Sequence, residues 1–420
     1  MSVHDTSTEP ARCPMRADYN PFVGDAISAP VTTLAAVASE DPIFFSPASN
    51  WWIVAGYDAI TEVMRDTETF SSALAAGDPK VPAGAEHLVP PHKITRYPGL
   101  LNSDPPVHKR VRRLANKAFT PKVIASWAPV IEERVIELLD GFADDGQADF
   151  LQAFAVPLPI AVISDILGIP RDKAERVMAW STALLNVRVP TMSDEELIEA
   201  WRDIKEWSDY LDEMIAARRE KATDDLTSML IHAKEGDDEA LNDFEIRSII
   251  SQLMLAGNET TRHLVNTLTL RLAETPDLAK MLVGADDDLI DAVVEEELRF
   301  RGPTRGLFRS ATRDVELFGA SIKKGDQLQI CFAAANNDAK MFENPEQFKL
   351  DRKNIKRHVA FGRGEHFCIG APLARLEARI ALRHIVTRLP NLCRASDEPV
   401  RWANNVVVTG LERNDLKWDT

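Results

Sequence analysis

The stretch FGRGEHFCIG, from Phe361 to Gly370, places one cysteine inside a glycine-rich turn. The three glycines allow the backbone to bend tightly and to approach a flat ligand closely. The residues that follow, APLARLEARIAL, carry a proline near their start and apolar residues at helical spacing, which predicts a helix. Cys368 therefore precedes a helix N-terminus, where the dipole and free N–H groups favour a thiolate. Such a sulfur suits an axial ligand of iron, whereas the simpler interpretation is a small buried cysteine in a turn.

A second stretch, FEIRSIISQLMLAGNETTRHLVNTLTL, predicts one long helix over residues 244–270. One face of it is apolar except for AGNETT in its middle. A glycine beside threonines in an apolar helix is often only a kink packed in the core, with hydroxyls bonding back to the preceding turn. The residues that share this face are Ile246, Ile249, Ile250, Leu253, Gly257, Thr260, Leu264 and Leu268.

The composition limits the classes of partner. The chain has 420 residues, 45% of them hydrophobic, and a formal net charge of −16, which argues against binding to nucleic acid or to an anionic membrane. No apolar run reaches the roughly 20 residues that span a bilayer, and the polar N-terminus lacks the features of a secretory signal. We therefore expect a cytoplasmic protein. The four cysteines are scattered, which argues against a disulfide framework and a structural zinc site.

The order of predicted elements indicates a mainly α fold with small β-sheets, an α+β protein without a domain break. IFFSPASNWWIVAGYDAITEVMRD, residues 43–66, predicts two short strands and a helix. Residues from about 105 to 297 are almost wholly helical in pattern. DVELFGASIKKGDQLQICFAAA predicts two strands joined at Lys-Lys-Gly-Asp, and NNVVVTGLERNDLKW predicts a closing hairpin.

The cysteine turn resembles the haem-binding loop of the cytochrome P450 family, Phe-Gly-x-Gly-x-His-x-Cys-x-Gly. The resemblance covers essentially the whole chain. It implies a P450 haem domain over residues 21–420, preceded by a flexible tail over residues 1–20. It also implies haem b as the cofactor, with Cys368 as the thiolate ligand of its iron. The positions that match the loop motif are Phe361, Gly362, Gly364, His366, Cys368 and Gly370.

The same resemblance implies further haem-site residues. Glu296 and Arg299 match the Glu-x-x-Arg clamp of the family. A third arginine often completes this clamp, but its usual position in NPEQFKLDR holds Gln347, so the third partner stays open. His366 either reaches a haem propionate or packs within the loop. The residues expected to bind the propionates are His108, Arg112, Arg309 and His358.

AGNETT resembles the oxygen-activating segment of the family, Ala-Gly-x-(Asp/Glu)-Thr-Thr. The resemblance implies that Ala256 and Gly257 leave room for haem and dioxygen. Thr260 would hydrogen-bond to the bound oxygen, and Glu259 would relay protons from solvent. The substrate pocket implied by position is apolar and of modest size. Its expected residues are Leu100, Leu101, Leu185, Leu253, Thr304, Leu307 and Val407, with Ala256 beside them.

The function implied is that of a soluble bacterial-type monooxygenase that hydroxylates, or O- or N-dealkylates, a small to medium apolar molecule. It would use O2 and two electrons passed from NAD(P)H by a ferredoxin and its reductase. The alternatives are a peroxide-driven haem-thiolate peroxygenase and a non-enzymatic haem sensor. A basic patch on the cysteine side of the haem is expected to dock the ferredoxin. The patch is formed by Lys109, Arg110, Arg113, Lys356 and Arg363.

Overall fold

The computed structural model describes residues 14–23, 26, 38–73, 75, 79–90, 99–188, 192–234, 240–403 and 405–420. Helices dominate these residues, as the sequence predicts. In chain order they are α1 (Tyr57–Arg65), α2 (Val107–Ala115), α3 (Pro121–Ser126), α4 (Ala128–Asp140), α5 (Pro157–Leu167), α6 (Ala174–Asn186), α7 (Asp194–Glu220), α8 (Leu226–Ile231), α9 (Asp243–Glu274), α10 (Pro276–Leu282), α11 (Asp287–Arg301), α12 (Phe332–Asn336) and α13 (Ala371–Arg388).

The strands form small sheets near both ends of the described chain. They are β1 (Ile43–Ser46), β2 (Trp51–Val54), β3 (Phe70–Ser71), β4 (Gln147–Asp149), β5 (Leu307–Ala311), β6 (Val315–Leu317), β7 (Ala320–Ile322), β8 (Gln327–Ile330), β9 (Cys393–Arg394) and β10 (Asp415–Lys417). The largest sheet has the order β1-β2-β8-β5-β3, and it brings residues 43–54 against residues 307–330. The three-stranded sheet has the order β4-β10-β9.

The long helix α9 is the centre of the helical core. It begins with a capping box, in which Asn242 accepts from the Glu245 N–H and the Glu245 side chain accepts from the Asn242 N–H. Helices α5, α6, α11 and α13 all pack against it. Because α13 starts three residues after Cys368, this packing fixes the cysteine loop relative to the middle of α9. None of the helices in the described ranges has the length and apolar character needed to cross a membrane.

The predicted Lys-Lys-Gly-Asp turn between two strands is confirmed, whereas the predicted C-terminal hairpin is wrong. A second tight turn lies at Phe318 and Gly319, both with positive φ, and it joins β6 to β7. The Lys-Lys-Gly-Asp turn leads from β7 to β8, which belongs to the five-stranded sheet. At the C-terminus, β10 pairs with β4 and β9 rather than with the segment just before it. Local turn residues were visible in the sequence, but the choice of partner strand depends on distant residues.

Part of the expected N-terminal tail is packed against the fold. Met15 forms a parallel bridge with Phe45, and the Arg16 guanidinium bonds to Glu40 and Asp41. The Tyr19 side chain is 3% exposed and lies edge-on against Phe44. Residues 15–19 thus contact the fold, while residues 1–13 of the expected tail lie outside the described ranges.

Candidate functional site

The cysteine loop is a tight turn held by its own backbone. The Cys368 N–H donates to the Phe361 carbonyl at 2.9 Å, which closes the loop. Gly362 and Gly364 have φ of 71° and 69°, a region that L side chains rarely adopt. A Cβ at Gly364 would also lie 3.0 Å from the Met64 carbonyl oxygen, so α1 packs directly beneath the loop. These two glycines are required by the turn.

Gly370 has a different part in the loop from the one expected. Its φ is −81°, so it does not supply the bend. A Cβ at Gly370 would lie 3.9 Å from the Cys368 sulfur, so the Gly370 backbone passes close beside it, and the Ala371 N–H donates to the Cys368 carbonyl at 3.4 Å. Burial raises the pKa of the Cys368 thiol, while the N–H groups of Gly370 and Ala371 and the Arg112 guanidinium lower it. The loop thus presents one buried sulfur to backbone donors and a nearby cation.

His108 and His366 form a stacked pair beside this loop. Their ring centroids are 4.0 Å apart with an interplanar angle of 28°. His366 Nδ1 lies 3.1 Å from the Leu100 carbonyl and Nε2 lies 3.2 Å from the Ser72 hydroxyl, so both of its nitrogens have partners. Burial, together with the charges on Arg309 and His108, lowers the pKa of His366 to about 3. His366 therefore packs as a neutral ring that supports His108.

His108, unlike His366, belongs to a buried group of nitrogens that lack an acceptor. It is 1% exposed, and neither of its nitrogens has a hydrogen-bond partner among the described residues. The Nε of Arg309 is also buried and unpartnered, and burial lowers the pKa of Arg309 to about 10. Two acids act on this group: Glu365, which pairs with Lys109, and Asp104, whose oxygens accept from the Ser71 hydroxyl and the Ser72 N–H. Buried donors of this kind need an anionic ligand.

Arg112 and His358, the other two residues expected to bind the propionates, have different partners. Arg112 lies one turn after His108, faces Cys368, and donates through Nε to Asn116 at 3.0 Å. His358 Nε2 instead donates to the Glu295 carboxylate at 3.0 Å, while its Nδ1 accepts from the Ala360 N–H. The sequence predicts that His358 binds a propionate beside His108, but in the structure His358 binds Glu295 on α11. Glu295 directly precedes the clamp residue Glu296 in the Glu-Glu-Glu run of α11. The family motif assigns a partner to Glu296 only, so it did not indicate that Glu295 binds His358.

The middle of α9 borders open space. A Cβ at Gly257 would meet no heavy atom of the described residues within 4 Å, and Ala256 is exposed among them although the helix around it is largely buried. The Thr260 hydroxyl donates to the Ala256 carbonyl at 2.6 Å. Its single proton is thereby used, so its oxygen lone pairs are left to accept a hydrogen bond. This stretch can accommodate a flat ligand and, beside it, a small polar molecule that donates a hydrogen bond to Thr260.

Glu259 is held as a carboxylate on the same helix. Its Oε2 lies 2.7 Å from Arg262 Nη2 and 3.7 Å from His263 Nε2. Burial raises the pKa of Glu259, but His263 and the charge on Arg262 outweigh burial and bring the pKa below its usual value. Glu259 is thus ionised near neutral pH and can accept a proton.

The clamp on α11 is completed by a residue that the sequence left open. Arg299 donates to both oxygens of Glu296, at 2.7 and 2.9 Å, and both side chains are fully buried. Arg352 donates from Nε to Glu296 at 2.9 Å and is the third partner. Gln347 contributes only its backbone carbonyl, which accepts from Arg299 and Arg352. Arg352 is the last residue of NPEQFKLDR, five positions after Gln347. The quoted segment therefore already contained the arginine that completes the clamp.

Three of the expected pocket residues, Thr304, Leu307 and Val407, lie close together at the C-terminal turn. Thr304 bridges Val408, and the Val407 carbonyl accepts from the N–H groups of Arg305 and Gly306. Leu307 begins β5 directly after this contact. Leu253 lies one turn before Gly257 on α9 and is half-buried. Leu100 and Leu101 share one loop: Leu100 is buried beside His366, and the exposed Leu101 donates its N–H to Gln252 on α9. Leu185 is exposed on α6.

These residues fit a haem. A single sulfur held by backbone donors suits an axial ligand, the buried histidine and arginine donors suit carboxylates, and open space lies against Gly257. The sequence profile of the Cytochrome P450 family matches residues 49–417. These matched residues contain every element of the site described above, from His108 to the C-terminal turn.

Individual relatives agree with the family match. The putative cytochrome P450 YjiB of Bacillus subtilis is 35% identical over 387 residues, covering 91% of this chain and 92% of the relative. The cytochrome P450 monooxygenase PikC of Streptomyces venezuelae is 33% identical, covering 94% and 92%. The solved structure of the Bacillus subtilis bacillaene polyketide synthase cytochrome P450 PksS superposes with a TM-score of 0.84 at 31% identity, covering 96% of this chain and 100% of the other. The chain therefore belongs to the cytochrome P450 family.

Proposed function

We propose that this protein hydroxylates an apolar organic molecule of medium size, with electrons supplied by a ferredoxin. Membership of the family makes it an oxidoreductase that uses haem, binds an organic substrate and O2, and receives electrons from a redox partner. The finer assignments below rest on particular residues. The observation that carries the proposal is the Glu259–Thr260 pair beside the open space at Gly257.

The haem would be held from two sides. Cys368 would supply the thiolate that holds the iron, and the buried His108 nitrogens and Arg309 Nε, which lack partners among the described residues, would donate to the propionates. Arg112, which faces the sulfur, adds positive charge on the same side. When bound, a thiolate-ligated haem supplies the activation of O2 and the insertion of one oxygen atom into substrate. The protein's own residues then have to exclude water, place the substrate and deliver protons.

Proton delivery is assigned to Glu259 and Thr260. The Glu259 carboxylate, partly reached by solvent, takes up a proton from outside. Thr260 accepts a hydrogen bond on its oxygen because its own proton is held by the Ala256 carbonyl. A water placed by these two groups would be a donor within the pocket. This pair favours an O2-dependent monooxygenase over a peroxide-driven peroxygenase, which has no need of proton delivery to O2.

The substrate is assigned to the apolar class. Leu253, Leu307 and Val407 supply apolar surface beside Gly257 and the C-terminal turn. Relatives of this chain bear names that point to large apolar substrates. Among them are a 6-deoxyerythronolide B hydroxylase and a steroid C26-monooxygenase, 32% and 33% identical. The structure of CYP109E1 from Bacillus megaterium, with a TM-score of 0.80, contains testosterone. These names support an apolar organic substrate of medium size.

The donor is assigned as a ferredoxin working in the cytoplasm, where NAD(P)H is available. The expected basic patch is smaller than the sequence suggests. Lys109 pairs with Glu365 at 2.9 Å and Arg110 pairs with Glu245, so two of its cations are neutralised. Lys356 is exposed, and the Arg363 guanidinium lies over the Tyr57 ring at 5.3 Å. The remaining positive charge on this face would still attract an acidic partner.

Oxygen-isotope labelling tests the proposed reaction. The purified protein is incubated with NAD(P)H, a ferredoxin, its reductase and ¹⁸O2, in turn with testosterone, 6-deoxyerythronolide B and hexadec-9-enoic acid. We expect at least one of them to give a product with one ¹⁸O atom. Product formed with hydrogen peroxide but not with O2 would identify a peroxygenase. Spectral binding without product under either condition would favour a haem sensor.

A further inference from the structure

His263 lies one helical turn after Glu259 on α9 and shares its partner. Arg262 donates through Nη2 to Glu259 at 2.7 Å, and its Nε lies 3.4 Å from His263 Nε2. The distance from His263 Nε2 to Glu259 Oε2 is 3.7 Å, too long for a direct hydrogen bond. Arg262 therefore bridges the imidazole and the carboxylate. No feature of the family motif assigns a part to the residue at position 263.

The imidazole of His263 is fixed by the C-terminal turn. A Cβ at Gly410 would lie 2.0 Å from the His263 Cε1 and Nδ1 atoms, so the Gly410 backbone rests directly on the ring. The side chain is 3% exposed, and Nδ1 has no hydrogen-bond partner in the part of the chain that the structure describes. With the backbone against one edge, the ring cannot rotate freely, and Nε2 is held toward Arg262.

The electrostatic state of the ring agrees with an acceptor at Nε2. Burial lowers the pKa of His263, and Arg262 lowers it further, although Glu259 acts in the opposite direction. The imidazole is therefore neutral near neutral pH and has one nitrogen with a lone pair. Because Arg262 Nε–H can only donate, the lone pair belongs to Nε2 and the proton to Nδ1.

We propose that His263 is a positioning residue for proton delivery, which holds Arg262 and, through Arg262, keeps the Glu259 carboxylate at the start of the route to Thr260. The inference rests on the proposed function of Glu259. A buried histidine that served only as packing would need its ring shape but not its lone pair. These two explanations make opposite predictions for two substitutions.

Two variants separate the explanations. His263→Phe keeps a ring beneath Gly410 but offers Arg262 no acceptor, whereas His263→Gln keeps an acceptor and loses the ring. We expect His263→Phe to lower the product formed per NAD(P)H consumed by about fivefold, with peroxide released instead. His263→Gln should retain most of this yield. The substrate is the one that gives labelled product in the isotope experiment, and the ferrous–CO spectrum confirms that each variant holds haem. A yield for His263→Phe equal to or above that for His263→Gln would overturn the proposal.

Nitrogen NMR gives a readout that does not depend on turnover. The nine histidines are labelled with ¹⁵N in the diamagnetic ferrous–CO protein, and the His263 signals are identified by their loss in His263→Gln. We expect wild type to carry its proton on Nδ1. In Arg262→Met the proton should move to Nε2, since Glu259 is then the partner. The same tautomer in wild type and Arg262→Met would show that Arg262 does not determine which nitrogen of His263 carries the proton, and would overturn the proposal.

Glu259→Gln separates a failure of this inference from a failure of the proposed function. If Glu259→Gln leaves the product yield unchanged, the proton route through Glu259 is wrong, and the position of Arg262 has no consequence for it. If Glu259→Gln lowers the yield but His263→Phe does not, the route stands and only the part given to His263 is wrong.

Discussion

At the scale of single residues, His108 shows most directly that the site is built for a ligand. A buried imidazole with two unpartnered nitrogens costs free energy unless something else bonds to it. The stack on His366 holds the ring in place, and burial together with Arg112 lowers the pKa of His108, so it is neutral near neutral pH. Neutral imidazole still donates one N–H, which is what a carboxylate accepts.

We predict that His108→Phe weakens haem retention. Phenylalanine preserves the stack on His366 but removes the donor, and a hydrogen bond to a charged group contributes about 1.5–3 kcal/mol. The rate of haem transfer to apomyoglobin should rise by roughly tenfold or more. His384→Phe is the control, because His384 pairs with Glu132 at the surface. Equal transfer rates for His108→Phe and wild type would show that His108 does not bind haem.

Several site residues could be predicted from the sequence because their roles depend on local spacing. Cys368 with its flanking glycines, the Glu296–Arg299 pair and the Ala256–Thr260 segment are each contained within one turn or helix. Arg352 and His263 could not be assigned in this way. Arg352 meets its partner Glu296 across elements, and the His263 ring, although its polar partners are local, is fixed by the distant Gly410. Such contacts depend on packing rather than on a motif.

At the scale of elements, the Glu296 clamp joins α11 to the segment before the cysteine loop. Glu296 is fully buried, so its charge needs every donor that surrounds it. The side chain of Arg352 supplies one of these donors, whereas Gln347 supplies only a backbone carbonyl. Truncating the Arg352 side chain therefore removes a hydrogen bond to Glu296, whereas truncating the Gln347 side chain removes none.

We predict that Arg352→Ala destabilises the protein by about 3 kcal/mol, since it leaves a buried carboxylate short of a partner. Gln347→Ala should change the free energy of unfolding by less than about 0.5 kcal/mol. Denaturant unfolding followed by circular dichroism measures both. Similar losses for the two variants would mean that the Gln347 side chain, and not Arg352, completes the clamp.

Glu295 makes a second link, from α11 to His358 and to Arg375 on α13. Burial raises the pKa of Glu295, but His358 and Arg375 outweigh it and bring the pKa to about 2. A carboxylate with a lowered pKa stabilises the folded state above its unfolded value of 4.5, and this contribution is lost as the pH falls toward about 2. The shift corresponds to roughly 3 kcal/mol at neutral pH.

We therefore predict that Glu295→Gln lowers the free energy of unfolding by roughly 3 kcal/mol at about pH 7, and that the difference shrinks below about pH 4.5. Unfolding curves for wild type and variant at a series of pH values give this difference. Glu132→Gln removes an exposed pair with His384 and should cost less than about 1 kcal/mol. A Glu295→Gln effect that does not depend on pH would show that the charge is not what links these elements.

The elements themselves were largely predictable, but their pairing was not. The α9 helix follows from its apolar face and from Asn242 and Glu245 at its start. The strands at residues 43–54 and the helix after them also follow from local pattern and are confirmed. Which strand β8 or β10 joins is decided by residues far away in the chain. The sequence therefore predicted the Lys-Lys-Gly-Asp turn, but not that β8 joins the five-stranded sheet or that β10 pairs with β4 and β9.

At the scale of the whole molecule, the net charge of −16 makes any positive surface significant for a redox partner. The face that carries the cysteine loop holds Lys356 and Arg363, while Lys109 and Arg110 are paired with acids. Attraction between this face and an acidic ferredoxin would raise the association rate and would be screened over about 10 Å at 0.1 M salt.

We predict that Lys356→Glu combined with Arg363→Glu slows reduction by a ferredoxin several-fold at low salt. The matched control is Lys205→Glu combined with Lys280→Glu, which changes the net charge equally but places it on α7 and α10. Stopped-flow reduction in a salt series compares the two, and the difference should vanish as salt rises. Equal rates for both double variants at low salt would remove this face from the docking site.

The central claim is that Cys368 supplies the thiolate ligand of a haem, and the ferrous–CO absorption spectrum tests it most directly. Wild type should show the red-shifted Soret band that a thiolate ligand produces. Cys393→Ser, which alters a half-buried cysteine on β9, should keep that band. Cys368→His should lose the band while the protein still binds haem, because imidazole replaces sulfur as the ligand. A red-shifted band that persists in Cys368→His would contradict the account and place the iron ligand elsewhere in the chain.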